Sequence, residues 1–230
     1  MLGIIVQLLI SWLLAWIVVK KNLSILGFYP TSKRLKGFFL FFFVTAFFCS
    51  TGFIMKIIFA REQWQLNPDL TPTLIYQGSL WQIISVLYEE LIFRGVLLYI
   101  LIKKIGSVKA IIISAIAFGI YHWFSQGVFG DIKQMIIIFI YTGIMGLLLA
   151  YAYAKTFSLY IPVAIHFGWN LTQGFIFSNG PIGNGIFIPI LPQPVVTVSY
   201  FIFFCMMLIP VLGTFLINYF LLRRQAQVLI

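Results

Sequence analysis

The chain has 230 residues, 62% hydrophobic and only 9% charged, with a mean hydropathy of +1.06. A soluble domain of this length shows far more charge to water, so the composition excludes an ordinary soluble fold and points to an all-α, polytopic transmembrane bundle. The formal net charge of +10 implies no nucleic-acid partner, because the division of basic residues between loops accounts for it, and no ten-residue alternating strands suggest a membrane barrel.

Apolar runs predict about seven spans. The first covers about Leu2 to Val19, with no basic residue before it and no small-residue cleavage site after it, and reads as an uncleaved helix rather than a signal peptide. The second covers about Gly37 to Phe59. A polar segment with Arg61, Glu62, Asn67, Pro68, Asp69 and Pro72 leads to the third, about Leu74 to Ile102. The fourth runs from about Val108 to Phe124, the fifth from about Ile132 to Ala154 and the sixth from about Phe157 to Phe177. Ser178 to Pro194, rich in Gly, Pro and Asn, reads as a loop, and the seventh span, about Val195 to Leu222, has room to tilt or to bend at Pro210. The whole chain, 1–230, reads as a single membrane domain with a motif-bearing core at 74–177. Cys49 and Cys205 both fall within spans and read as buried free thiols.

With the amino terminus outside, Lys20, Lys21, Lys33, Arg34, Lys36, Lys103, Lys104, Lys109, Lys155, Arg223 and Arg224 lie on the inner side, and only Lys56, Arg61 and Lys133 on the outer side. Eleven against three satisfies the positive-inside rule with a cytoplasmic carboxyl terminus and a multi-pass location in the cell membrane. Basic inner loops also favour anionic lipid heads.

Arg94 alone is left at membrane depth, beside Glu89 and Glu90, two of the five acidic residues. Each ionised side chain there costs about 2.5–3.5 kcal/mol, so three within six positions require pairing, a wet cavity or chemistry. Glu90 and Arg94 are four apart, the spacing of an intrahelical ion pair. Glu89 continues a polar stripe from Gln82 and Ser85, in a setting that raises a carboxyl pKa towards the range of a general base. Both histidines are also within spans, His122 four residues after Phe118 and His166 four residues before Asn170, each pair on one helix face. Counted from the assumed cytoplasmic ends, Glu89, His122 and Asn170 lie about 20 Å deep and His166 about 14 Å, heights at which the four can converge. Singly, each residue has a structural role open to it: a helix-bridging hydrogen bond for Glu89, interhelical contact for His122 and Asn170, packing for Phe118.

Together these residues resemble the three motifs of the CPBP, or Abi, family of intramembrane proteases, which includes CAAX prenyl endopeptidases and bacteriocin-processing or immunity proteins. Two glutamates, three residues and arginine match Glu89, Glu90 and Arg94. Phenylalanine, three residues and histidine match Phe118 and His122, and histidine, three residues and asparagine match His166 and Asn170. The resemblance spans about Leu74 to Phe177. It implies peptide-bond hydrolysis within the membrane, with Glu89 activating water, His122 assisting, His166 and Asn170 stabilising the oxyanion, and Glu90, Arg94 and Phe118 in support. Gly119, Gly168 and Gly174 would allow close helix approach or leave a cavity for water.

No histidine pair has the tight spacing of a zinc-protease helix, so a metal-free mechanism is expected, with zinc or another divalent metal on Glu89, His122 and His166 as the alternative. The expected partners are membrane lipid and a membrane-associated or lipidated peptide or protein. A bacterial peptide precursor is the favoured substrate. The rival functions are a non-catalytic bacteriocin-immunity or scaffold protein and a transporter or proton relay.

Overall fold

The computed structural model describes residues 2–178 and 185–225; positions 179–184 of the expected loop and 226–230 lie outside the described residues. Helix α1 (Leu2–Leu14) continues as a π-helical turn (Ala15–Val19), and a 3-10 turn (Leu23–Leu26) precedes α2 (Ser32–Phe59). After strand β1 (Trp64–Leu66) come α3 (Pro72–Phe93), α4 (Val96–Ile105), α5 (Ser107–Ser125), α6 (Ile132–Thr156) and α7 (Tyr160–Leu171). A π-helical turn (Thr172–Ile176) extends α7, and strand β2 (Phe187–Pro189) and α8 (Tyr200–Arg224) complete the chain.

Among the described residues, five helical segments are long and apolar enough to cross a membrane: Leu2–Val19, α2, α5, α6 and α8. Their outward faces carry large apolar side chains such as Ile5, Phe43, Phe47, Ile136, Ile140 and Phe204, all exposed. Such a surface suits hydrocarbon, where helices satisfy their own backbone groups. This is a membrane protein built from helices.

Two expected spans differ in the structure. The third does not run unbroken from 74 to 102: the helix stops after Phe93 and restarts at Val96, with Gly95 between. A Cβ on Gly95 would overlap the Leu91 carbonyl oxygen, so only glycine fits this junction. The sixth is a short helix, starting at Tyr160 rather than 157, joined to a π turn. The expected loop at 178–194 contains β2, which pairs antiparallel with β1 in the register Trp64 with Pro189, Gln65 with Ile188 and Leu66 with Phe187. The ribbon is held at one end by reciprocal Gln63 and Gln193 hydrogen bonds of 2.8 Å and at the other by Asn67, whose side chain donates to the Gly185 carbonyl at 2.9 Å.

The chain divides into two compact units, one of residues 1–38, 87–164 and 219–230, the other of 39–86 and 165–218. In the first, α5 and α6 pack along their lengths, with Leu148, Leu149, Ala150, Tyr153, Ala115 and Phe118 buried. The Tyr153 hydroxyl donates to the Ile25 carbonyl at 3.0 Å, and the Leu159 amide donates to the Leu26 carbonyl at 3.0 Å, anchoring the 3-10 turn. In the second unit, α2 meets α7 and α8. A Cβ on Gly168 would lie 2.6 Å from the Phe42 carbonyl oxygen, so the absence of a side chain sets the spacing of α2 and α7. Buried Asn218 donates to Thr45 Oγ1 at 3.0 Å and to the Thr214 carbonyl at 2.8 Å, a polar clasp between α8 and α2.

Candidate active site

In the first unit, α3 carries the two glutamates in its last turn and Arg94 follows its final residue, while α5 presents Ser114, Phe118 and His122 at successive four-residue intervals, hence on one face. Glu90 and Arg94 are fully buried, with Arg94 Nη1 3.3 Å from Glu90 Oε1. The guanidinium carbon lies 4.0 Å from the centre of the Phe118 ring, a cation–π contact that adds to the stabilisation of the charge. The same ring meets His122 edge to face at 4.4 Å and Phe93 at 5.1 Å. Phe118 therefore contacts both the arginine and the histidine.

Glu89 points to the histidine rather than the arginine. Its Oε2 lies 3.9 Å from His122 Nε2, with both side chains only 13% and 10% exposed. The other ring nitrogen, Nδ1, is 2.8 Å from the Phe118 carbonyl oxygen, which only accepts, so Nδ1 donates and carries the proton. That bond fixes the ring with Nε2 turned toward the Glu89 carboxylate.

In the second unit, α7 carries the other pair. Asn170 Nδ2 donates to His166 Nε2 at 3.2 Å. An amide nitrogen cannot accept, so His166 holds its proton on Nδ1, and Asn170 keeps another N–H. His166 is buried on a helix whose close approach to α2 depends on Gly168.

Comparison with known families bears on the segment that holds all these groups. Residues 71–172 match the family model described as type II CAAX prenyl endopeptidase, Rce1-like. This segment is an Rce1-like domain of the CAAX protease family. No curated protein and no solved structure gives a significant match to the chain.

The Rce1-like domain contains Glu89, Glu90, Arg94, Phe118, His122, His166 and Asn170, together with the helix junction at Gly95. Among the described residues no group of three or more His, Cys, Asp or Glu side chains gathers as a metal site. Glu89 and His122 place one carboxylate and one imidazole together, a combination suited to general-base chemistry on water. Two residues outside the motifs support the site. Ser114 Oγ donates to the Phe93 carbonyl at 2.9 Å, satisfying an acceptor left over where α3 ends, and Tyr121 packs its ring against Phe93 and His122. Ser114 was detectable as a polar residue four before Phe118 on the histidine's own face.

Proposed function

We propose that this protein is an intramembrane endopeptidase that hydrolyses a peptide bond in a membrane-associated protein or peptide precursor. The observation that carries this conclusion is the Glu89–His122 pair at 3.9 Å within the Rce1-like domain. A carboxylate and an imidazole at that separation suit a water held beside both, with Glu89 as the base that takes its proton. Glu89 takes a proton as the water oxygen bonds to the peptide carbonyl carbon. The carbonyl oxygen becomes an oxyanion, for which the family motif supplies His166 and Asn170 as N–H donors; their mutual hydrogen bond supports the role by setting which protons they hold. Glu89 then returns the proton to the amide nitrogen as the C–N bond breaks, releasing a carboxylic acid and an amine. Glu90 and Arg94 hold the end of α3 rather than react. The cell membrane is the proposed location, with the basic loops on the cytoplasmic side.

The test compares wild type with Glu89→Gln and His122→Ala at matched membrane levels, reading precursor and product by mass spectrometry. Each substitution is expected to lower turnover by roughly 10²–10⁴-fold, the range for a lost acid–base group. Undiminished cleavage by Glu89→Gln would refute the assignment. Protection against a bacteriocin that survives both substitutions would instead favour a non-catalytic immunity role.

A further inference from the structure

A cavity of about 500 Å³ in the first unit has none of the motif residues in its wall and has a different chemistry. Three cations, Lys21, Lys33 and Arg34, line it, and no acidic residue does. Two helix N-termini also border it, Thr31 to Arg34 at the start of α2 and Ser158 to Ile161 at the start of α7, adding partial positive charge. Arg34 Nη1 donates to the Tyr29 carbonyl at 2.6 Å, which holds the guanidinium in place, while Lys21 and Lys33 remain exposed. The rest of the wall includes the hydroxyls of Ser24 and Thr31 and the apolar surfaces of Ile25 and Phe157.

The depth of the cavity follows from where spans end. Lys21 comes just after the span Leu2–Val19, Thr31 just before α2, Thr156 at the end of α6 and Gln225 just after α8. Residues at the ends of membrane-crossing helices lie at headgroup level. A basic pocket there, apolar on part of its wall, matches an anion that carries its own hydrocarbon.

We propose that this cavity binds the phosphodiester headgroup of an anionic glycerophospholipid, with Lys21, Lys33 and Arg34 around the phosphate and the lipid's glycerol end against Ile25 and Phe157. The site is independent of the peptidase assignment. It is tested on the full chain in neutral detergent, titrated with short-chain phosphatidylglycerol, with phosphatidylcholine and with inorganic phosphate, reading bound lipid by native mass spectrometry and melting temperature by intrinsic fluorescence. Phosphatidylglycerol should bind in preference to phosphatidylcholine. In the double variant Lys21→Gln/Lys33→Gln, whose exposed side chains leave folding undisturbed, its affinity should fall about 25-fold, from about fivefold per surface cation. Equal binding of the two lipids, or unchanged affinity in the double variant, overturns the proposal. Full displacement of lipid by millimolar inorganic phosphate also overturns it and identifies a small-anion site instead.

Discussion

Replacing Arg94 with methionine removes a fully buried cation whose nearest carboxylate oxygen is 3.3 Å away and equally buried. The remaining Glu90 charge would have no water to return to, and breaking a buried pair from one side costs about 3–5 kcal/mol. Loss of the ring contact with Phe118 at 4.0 Å adds about 0.5–2 kcal/mol. Glu90→Gln strands the arginine in the same way and costs a similar amount. The double variant Glu90→Gln/Arg94→Met removes both desolvated charges, so it should lie within about 2 kcal/mol of wild type, because well-packed neutral replacements of a buried pair are often tolerated. The coupling energy is then at least about 4 kcal/mol. Reversible unfolding in mixed micelles with increasing sodium dodecyl sulfate, followed by tryptophan fluorescence, measures all four corners of the cycle. The double variant should also retain cleavage, since neither residue is assigned a reacting atom. Additive losses in the two single variants would refute the pairing, and a stable but inactive double variant would refute the division of labour between Glu89 and Glu90.

Gly168→Ala places a methyl group 2.6 Å from the Phe42 carbonyl oxygen; unfolding should show a loss of about 1–3 kcal/mol, with cleavage reduced through displacement of α7. Ser114→Ala leaves the Phe93 carbonyl without its 2.9 Å donor and should cost about 1–3 kcal/mol in the same unfolding assay. Asp131 begins α6, where its carboxylate accepts from the Gln134 backbone and side-chain nitrogens at 3.1 and 2.8 Å, holding its pKa below the ordinary carboxylate value. Its contribution to the cap is therefore present above the unfolded carboxylate pKa and is lost as pH falls through the lowered folded value. Carbon-detected NMR should place its titration midpoint below that of a free aspartate, and Gln134→Ala should move it upward.

Much of the helical layout was legible because hydrocarbon imposes long apolar runs, and α2, α5, α6 and α8 all overlap runs seen in the sequence. The break at Gly95 was not, since a hydropathy window averages one glycine into its neighbours, whereas a helix responds to the collision that a single Cβ would cause. The ribbon was equally hidden: three-residue strands show no usable alternation, and Trp64 finds Pro189 only through the fold. Within the candidate site, four-residue spacing was enough to pair His166 with Asn170 and Glu90 with Arg94, because one helix determines both positions. The proximity of Glu89 to His122 joins two helices, and depth counting made it only permissible. The use of Phe118, one ring serving an arginine and a histidine, depends on side-chain directions that spacing does not encode.

The small ribbon has a topological consequence. Strand β1 precedes residues 71–172 and β2 follows them, so the antiparallel pairing, reinforced at Gln63 and Gln193, clamps the chain's inlet to the Rce1-like domain beside its outlet. Two connections held side by side fix the separation at which the flanking chain enters and leaves this segment. The flanking spans keep their own hold on the enclosed segment, α2 at Gly168 and the 3-10 turn at Tyr153 and Leu159, so the ribbon fixes where the chain enters and leaves while the flanks complete the packing.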